Sequence, residues 1–362
     1  MLDKEQLAEF REAYWGKKPC LFRGAIDVTG FPLTSQDLTN LVENDLVESR
    51  LITGDFELIH GPFESAGDSQ DHDSTHLPLD SMLMVQCLEQ HLQIARDLLD
   101  QEFTFIPGWQ VDDVMASLGD DAATCGAHFD KYDVFLVQHT GRKIWHLDDG
   151  GHREEDLAPA ADIRLLREFE PAHTWIIEPG DVLYVPPGFG HHGICDGTSL
   201  TLSVGIRNPT MAELLADLSE FALLSLDENP TITNKMFIEE SAIGDEAISQ
   251  IHSAVADLLN TDMLQRWYGS FSTRLREPDL LEQYEGPALK AGLNLVAALP
   301  SRLAATGRLL FANGEVYELE DVDTSWAAEL AANRQLRMPK NPSESGLACL
   351  KALVATGGLL VS

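Results

Sequence analysis

The sequence contains few cysteines, few basic residues and no long apolar run, and each scarcity excludes a class of protein. Its five cysteines are widely scattered, and none is arranged in C-x-x-C spacing. Neither a disulfide framework nor a structural zinc site is expected, and the cysteines are interpreted as reduced thiols. No uninterrupted apolar stretch approaches the roughly 20 residues that span a bilayer, and no basic, apolar leader opens the chain. We therefore expect a cytoplasmic protein without a membrane segment.

The shortage of basic residues sets the charge of the chain. Only 25 lysines and arginines face 59 aspartates and glutamates, which gives a formal net charge of −34. Such a surface repels nucleic-acid phosphates and attracts basic partners, so direct nucleic-acid binding is not expected. A salty habitat or a general solubility strategy would produce the same excess. Charge alone therefore does not name the substrate.

The 362 residues are enough for two or three domains, and the first part of the chain combines helices with short strands. Helices are predicted over residues 3–14 and, from apolar periodicity, over residues 79–99. A short strand is predicted at residues 51–53. Residues 65–74 are rich in aspartate and poor in apolar side chains, which predicts an exposed loop.

Residues 114–207 change to short β-rich runs separated by turn residues, the pattern of an all-β unit. The runs cover residues 134–138, 143–147, 175–177, 182–185 and 200–206. Thr140-Gly141-Arg142 is predicted to make a tight connection between the first two runs. Glu178-Pro179-Gly180-Asp181 has Pro and Gly where a type II turn needs them. A jelly-roll barrel accommodates both connections.

The segment 209–275 is predicted to form two amphipathic helices. Thr210-x-x-Glu213 is a capping box that begins the first helix. The apolar stripes of the two helices consist of Leu214, Leu215, Leu218, Phe221 and Leu224, and of Ile248, Ile251, Val255, Leu258 and Leu259. Two helices alone cannot hide this much apolar surface from water. Either the barrel or another subunit must cover it.

From about residue 276 the pattern favours a winged-helix domain. A helix is predicted over residues 289–299, a hairpin at Asn313-Gly314, and two more helices after it. The region of Glu320, Asp321 and Asp323 is acidic where a DNA-binding domain would be basic. The module is therefore interpreted as structural or as a protein contact.

The motif His128-Phe129-Asp130 indicates the chemistry. Side chains at i and i+2 of a β-strand point the same way, so His128 and Asp130 share a face. Together with His191, behind a Pro-Pro-Gly-Phe-Gly turn, they have the makings of a two-histidine, one-carboxylate site. Such a site suits Fe(II) and leaves positions for a chelating cosubstrate and oxygen. The His-x-Asp pattern recurs at His146-Leu147-Asp148, which we interpret as a strand terminus entering a solvated loop.

Several ordered motifs resemble the JmjC-type 2-oxoglutarate oxygenases, and specifically the bacterial ribosomal oxygenases. They are YWGKKP (14–19), HGPFES (60–65), PGWQVDDVM (107–115), GAHFDKYDVFLVQ (126–138), GRKIW (141–145) and GDVLYVPPGFGH (180–191). The resemblance covers the full length of the chain. It implies an enzyme that hydroxylates the β-carbon of an arginine in the sixteenth protein of the large ribosomal subunit.

The resemblance also implies an α+β architecture and a set of cofactors. A JmjC double-stranded β-helix barrel with helical decoration is expected over residues 1–208. A helical dimerisation segment over 209–275 and a winged-helix domain over 276–362 are expected to follow. Fe(II), 2-oxoglutarate and O2 are the expected cofactor and cosubstrates. A basic ribosomal protein is the expected substrate, and a homodimer the expected assembly.

Carried over residue by residue, the resemblance assigns the metal ligands to His128, Asp130 and His191. Adjacent strand residues face opposite sides, so only one of His191 and His192 can reach the metal. The Pro-Pro-Gly-Phe-x-His spacing selects His191.

The resemblance assigns the binding of the cosubstrate's distal carboxylate to Lys143, where the nearest bacterial relatives often have arginine. Lysine supplies a point charge without a bidentate fork, so the hydroxyl of Ser117 is expected to contribute. A cationic arginine substrate would be held by carboxylates at the barrel mouth. The candidates are Asp133, Asp112-Asp113 and Asp120-Asp121.

Other hypotheses remain open from the sequence. A JmjC histidyl hydroxylase or a demethylase of methylated lysine would share the barrel and its metal. A cupin-like metal-binding scaffold would use the barrel structurally and the winged helix for assembly. A zinc hydrolase is less favoured, because nothing near the three ligands offers an evident general base.

Overall fold

The computed structural model describes residues 1–63, 80–159, 163–226, 244–283 and 286–361. The loop predicted over residues 65–74 lies outside the described residues. The chain divides into two compact units, Met1–Asn208 and Pro209–Ser362. No helix in the described ranges combines the length and the apolar character needed to cross a membrane.

The first unit is built on a nine-stranded antiparallel sheet. Its strands are β1 (Cys20–Phe22), β2 (Ser49–Ile52), β3 (Leu58–His60), β4 (Met82–Val85), β5 (Val111–Gly119), β6 (Val134–Leu147), β7 (His173–Ile177), β8 (Val182–Val185) and β9 (His191–Ile206). The order is β1-β8-β6-β9-β5-β4-β2-β3, and β7 pairs with β6 outside this path. The long pair β6 and β9 therefore lies at the centre, and it carries residues of the site described below.

The predicted break at Thr140-Gly141-Arg142 is wrong, because β6 runs through it. Both halves of β6 pair with the same strand β9, whereas a hairpin would pair the two halves with each other. The register shifts on either side of Thr140, so the segment is a bulge within one strand. Gly141 has a φ of 65°, and a Cβ there would lie 1.9 Å from the carbonyl oxygen of Thr198. Turn-like residues here mark a bend in the strand.

Four helices of the described part of this unit accompany the sheet: α1 (Lys4–Ala13), α2 (Ser35–Leu41), α3 (Leu88–His91) and α4 (Gln93–Glu102). The first helix is confirmed, with Asp3 capping it in a reciprocal capping box. Residues 79–99 do not form one helix, since Met82–Val85 is strand β4. This strand lies between β2 and β5, and three of its four side chains are buried. A short, mostly buried apolar run has no polar face, so periodicity cannot distinguish it from a buried helix.

An aromatic cluster packs α1 against the sheet. The rings of Phe10 and Tyr184 meet edge to face at 4.8 Å, and those of Phe135 and Tyr184 lie 5.0 Å apart. Phe10 and Phe135 are completely or almost completely buried. Burying each phenyl ring contributes roughly 1.5–3 kcal/mol, so the cluster fixes α1 and β8 relative to β6.

In its described residues, the second unit combines five helices with two three-stranded sheets. The helices are α5 (Met211–Leu224), α6 (Asp245–Leu258), α7 (Thr261–Thr273), α8 (Thr324–Asn333) and α9 (Glu344–Ala355). The strands are β10 (Asn294–Ala297), β11 (Leu303–Thr306), β12 (Leu309–Ala312), β13 (Glu315–Glu318), β14 (Gln335–Arg337) and β15 (Leu359–Val361). They form the sheets β14-β10-β15 and β11-β12-β13.

Two sequence signals of this unit are confirmed. Thr210 and Glu213 form the predicted capping box at the start of α5. Asn313 and Gly314 connect β12 and β13 with φ values of 55° and 89°. Positive φ at both central residues is the requirement of the tight hairpin turn that the Asn-Gly pair indicates.

The helix predicted over residues 289–299 is wrong, because Asn294–Ala297 forms β10. This strand pairs with β14 on one side and β15 on the other, so its partners come from much later in the chain. Leu295 and Ala297 are buried in the resulting sheet. Tertiary pairing decides the conformation of such a short apolar segment, and local sequence does not report it.

Candidate metal centre

The structure brings His128, Asp130 and His191 together. One potential ligand atom from each lies within 4.8 Å of the others, the only such group of three or more in the described part of the chain. The main chains of His128 and His191 bond each other twice, at 3.1 and 2.8 Å. The segment of His128 is thus extended and paired through a single bridge with the start of β9. Asp130 follows two residues later, on the same side as His128.

Hydrogen bonds orient both imidazole rings for metal binding. Nδ1 of His128 lies 2.9 Å from the carbonyl oxygen of Gly126, and Nδ1 of His191 lies 3.0 Å from that of Phe189. A carbonyl oxygen only accepts, so each Nδ1 carries a proton, and Nε2 is the nitrogen of each neutral ring that has a lone pair for a metal. Nε2 of His191 lies 3.6 Å from a carboxylate oxygen of Asp130. Two imidazole nitrogens and one carboxylate oxygen therefore fit a divalent transition metal.

The surroundings of His191 keep it in the form that binds metal. The side chain is 2% exposed. Burial, with a further effect of the neighbouring His128, lowers the pKa of His191 to about 4. The ring is therefore neutral near pH 7, and no proton competes for its Nε2 lone pair.

A cavity opens beside the three side chains. It measures about 590 Å³ out to its open mouth and is lined by His128, Asp130 and His191 together with residues of β5, β6 and β9. Ser117, Lys143 and Trp145 are among the lining residues. The donor atoms thus face a space that opens to solvent between these strands.

Lys143 is a buried cation in this cavity. Its side chain is 2% exposed, and Nζ donates to the hydroxyl of Ser117 at 3.2 Å and lies 5.2 Å from the ring centroid of Trp145. It forms no ion pair with any described residue. A buried ammonium group is costly unless an anion compensates it. Its neighbour Arg142 faces the other way and pairs with Asp196 at 2.6 Å.

The other histidines near the site lie outside the donor group. His192 faces away from the cavity, and its ring lies 6.2 Å from that of His146 across the β6–β9 pair. The second His-x-Asp motif does end a strand, since β6 stops at Leu147. The prediction of a solvated loop is wrong for Asp148, which is only 8% exposed and accepts main-chain hydrogen bonds.

Of the candidate substrate-binding carboxylates, Asp113 is the one that lines the cavity. Asp133 is buried and accepts a hydrogen bond from Tyr184 instead. Asp120 and Asp121 lie beyond the end of β5, where they bind the hydroxyl of Thr198 and the main chain of Gly197.

Sequence reasoning missed two residues that support Asp113. With its amide oriented to satisfy both neighbours, Gln86 donates to Oδ2 of Asp113 at 2.6 Å and accepts a hydrogen bond from Arg50. Nε of Arg50 is buried without a hydrogen-bond partner among the described residues. Tyr132 also lines the cavity, where partial desolvation and the nearby carboxylates of Asp130 and Asp113 raise the pKa of its phenol. No local motif marks these side chains, because sheet pairing alone brings them together.

Comparison with known proteins identifies two domains in the chain and a similar protein of known activity. Residues 98–214 match the JmjC domain, and residues 249–359 match the ROXA-like winged helix. The ribosomal protein uL16 3-hydroxylase of Escherichia coli is 28% identical over 324 residues, covering 85% of this chain and 84% of that protein. The chain therefore contains a JmjC domain and a ROXA-like winged helix, and over most of its length it is similar to a ribosomal oxygenase. The predicted order of a jelly-roll barrel followed by a winged helix is thereby confirmed.

Solved structures of a ribosomal oxygenase have the same fold as this chain. The X-ray structure of E. coli YcfD superimposes with a TM-score of 0.77 at 25% identity, covering 100% of this chain and 99% of that one. YcfD in complex with cobalt and 2-oxoglutarate gives a TM-score of 0.75 at 24% identity, covering 98% of each chain. The α+β architecture is therefore shared over the full length.

Proposed function

We propose that this ribosomal oxygenase uses Fe(II), 2-oxoglutarate and O2 to hydroxylate the β-carbon of an arginine in ribosomal protein uL16. One observation carries the proposal: three donor atoms within 4.8 Å of one another face the same cavity as a buried lysine. A divalent metal and a dicarboxylate cosubstrate need this combination of groups. The JmjC domain, the ROXA-like winged helix and the similarity to the E. coli uL16 3-hydroxylase support the substrate.

His128, Asp130 and His191 would hold the iron. When bound, Fe(II) supplies the activation of O2, coupled to the oxidative decarboxylation of 2-oxoglutarate. The protein contributes the orientation of the ligands, which the carbonyl oxygens of Gly126 and Phe189 fix through Nδ1 of each ring. Because Nδ1 of each ring donates to a carbonyl oxygen, Nε2 is the nitrogen that remains for the metal, and no change of tautomer is needed.

Lys143 and Ser117 would bind the distal carboxylate of 2-oxoglutarate. The ammonium group provides the charge and the Ser117 hydroxyl a further hydrogen bond, and the two already lie 3.2 Å apart. Arg142 cannot replace Lys143, since it lies on the other face of β6 and pairs with Asp196. The buried cation thus finds its counter-charge in the cosubstrate.

The substrate arginine would be recognised by Asp113. Its side chain is 9% exposed, lines the cavity and is held by Gln86, which Arg50 supports from behind. Gly205 leaves room beside it, because a Cβ there would lie 3.1 Å from Oδ1 of Asp113. Carboxylates bind guanidinium groups through charge-assisted hydrogen bonds. The net charge of −34 would steer a basic ribosomal protein towards the enzyme.

The proposal is tested by incubating uL16 with enzyme, Fe(II) and 2-oxoglutarate and locating the modified residue by mass spectrometry. We expect the gain of one oxygen atom on a single arginine, with one succinate formed per hydroxylation. Oxygen on a histidine, or the loss of methyl groups from lysine, would instead support a histidyl hydroxylase or a demethylase. Absence of 2-oxoglutarate turnover with every basic ribosomal peptide would support a scaffold.

The same assay with Asp113→Asn tests the substrate contact. Loss of a charge-assisted hydrogen bond costs about 1.5–3 kcal/mol, so we expect KM for the arginine peptide to rise roughly 10-fold or more. Substrate-independent turnover of 2-oxoglutarate should stay close to that of the wild type. Asp112→Asn is the matched control, since Asp112 is adjacent on β5 but does not line the cavity. Equal effects of both variants would contradict the role of Asp113.

We also propose that the helices of the second unit form a homodimer interface. Apolar side chains of α5 and α6 are exposed, including Leu224 at 82% and Ile248 at 58%. None of the described side chains of α6 is buried. Exposed apolar helix faces of this kind mark an interaction site, and closed two-fold dimers are the most frequent assembly that covers one. The predicted division at residues 275 and 276, with 209–275 as the dimerisation segment, belongs to this proposal.

Light scattering on the full chain tests the dimer. Ile251 lies on the apolar face of α6 and is 43% exposed, so Ile251→Glu is expected to shift the mass from dimer to monomer. The substitution would bury a charge in an apolar interface, which destabilises the dimer. Ser253→Glu adds the same charge to the opposite face of α6 and should leave the mass unchanged. A monomeric wild type, or identical masses for both variants, would refute the interface.

A further inference from the structure

We propose that Asp148, together with His152, positions the metal ligands from outside the donor group by holding both segments that carry them. The inference rests on the proposed function, because it concerns the same metal site. Asp148 belongs to the second His-x-Asp motif, none of whose residues is among the three metal donors. It touches no donor atom in the described contacts, so its role is one of positioning.

Asp148 binds the turn that leads to His191. Its Oδ1 accepts hydrogen bonds from the main-chain N–H of Gly150 at 2.8 Å and of Gly190 at 2.9 Å. In the other direction, its own N–H donates to the carbonyl oxygen of Gly190 at 3.1 Å. Gly190 directly precedes His191, and Phe189 supplies the carbonyl that orients the His191 ring. Asp148 therefore fixes the backbone on which that orientation depends.

The carboxylate packs directly on this backbone. A Cβ at Gly190 would lie 2.2 Å from Oδ2 of Asp148, so only glycine leaves space for the side chain. The loop after Asp148 binds the same turn, since the N–H groups of Gly151 and His152 both donate to the carbonyl oxygen of Gly188, at 2.9 and 3.1 Å. Hydrogen bonds thus hold the loop after Asp148 and the turn before His191 together.

His152 connects this loop and turn to the segment that carries His128 and Asp130. Its Nε2 lies 2.5 Å from Oδ2 of Asp148, and its Nδ1 lies 3.7 Å from a carboxylate oxygen of Asp156. The ring stacks on Phe129 with centroids 5.9 Å apart and an interplanar angle of 25°. Phe129 is the spacer between His128 and Asp130 and is 4% exposed.

One carboxylate–imidazole pair therefore contacts the neighbours of all three donors. Metal sites depend on such outer contacts, because a ligand displaced slightly from its position binds the metal less well. A loop anchor without this function would stabilise the fold and leave metal affinity unchanged. A substitution of a positioning residue therefore lowers metal affinity, whereas a substitution of a loop anchor lowers only the stability of the fold.

Titration of the metal-free full chain with Co(II) alone tests the inference. Loss of an outer contact of a metal site typically lowers affinity about 10- to 100-fold, and we expect Asp148→Ala to raise the Kd for Co(II) within this range. Asp148→Asn should have a smaller effect, because its amide oxygen still accepts both main-chain hydrogen bonds.

Asp181→Ala is the matched control. Asp181 is a buried carboxylate of the same unit that also accepts two main-chain hydrogen bonds, from Gly24 and Glu178, but it does not line the cavity. We expect it to lower the melting temperature and leave the Kd for Co(II) unchanged. An unchanged Kd in folded Asp148→Ala, or equal weakening in both alanine variants, would overturn the inference.

Misfolding of Asp148→Ala and failure of the metal site itself give different results. If Asp148→Ala does not fold, His152→Ala and Asp148→Asn measure the same quantity, and wild-type affinity in both variants would overturn the inference. If the wild type binds no Co(II), or if binding survives His128→Ala, the proposed metal site itself fails. Failure of the positioning role alone is thus distinguished by intact wild-type binding.

Discussion

The variants His128→Ala and Asp130→Ala are each expected to lose Fe(II) binding and succinate formation. Each substitution removes one of the three donors that lie within 4.8 Å of one another. The loss should exceed the roughly 10- to 100-fold that removal of an outer contact costs, because a direct metal–ligand bond disappears. Metal content after dialysis and succinate released with uL16 are the measurements.

His192→Ala is the matched control for these ligand variants. His192 is adjacent to His191 on β9, but its ring faces away from the cavity towards that of His146. It should keep both metal binding and turnover. Wild-type activity in His128→Ala, or a loss in His192→Ala as large as in His128→Ala, would contradict the assignment of the ligands.

Lys143→Met is expected to raise KM for 2-oxoglutarate on the order of 100-fold. Removing one partner of a buried, hydrogen-bonded charge pair costs about 2–5 kcal/mol, and the distal carboxylate would lose its cation. Lys143→Arg should retain part of the affinity, because it keeps the charge. The measurement is the rate of succinate formation at varied 2-oxoglutarate concentration.

The same variant should stabilise the ligand-free protein. Lys143 is 2% exposed and has no ion-pair partner among the residues that the structure describes. Methionine fills a similar volume without a buried charge, so the melting temperature of the metal-free, ligand-free chain should rise. Arg142→Met provides the control, since it breaks the exposed pair with Asp196 and should leave KM unchanged. A wild-type KM in Lys143→Met would refute cosubstrate binding by this residue.

Side chains close in sequence were the part of the site that could be predicted. His128 and Asp130 share a face because they stand two residues apart in an extended segment. Lys143 and Arg142 face opposite ways for the same reason, and the structure places Lys143 in the cavity and Arg142 beside Asp196. Strand geometry repeats every two residues, so a short motif reports these orientations directly.

Relations that depend on sheet pairing could not be predicted. Asp113, Gln86 and Arg50 come from β5, from the residue after β4 and from β2, and they meet because these strands are neighbours. The prediction of helices over residues 79–99 and 289–299 failed on the same kind of segment. In both, a short apolar run becomes a strand between partners distant in sequence.

Local patterns in the sequence determined the ligand motif, the capping boxes at Asp3 and Thr210 and the Asn313-Gly314 hairpin. Each depends on hydrogen bonds or backbone angles within a few residues. Only the tertiary structure decided that two main-chain hydrogen bonds join His191 to His128, and that Asp148 is buried against Gly190. The reason is physical: contacts between distant segments are selected by the burial and pairing of whole strands, and no single stretch of sequence encodes them.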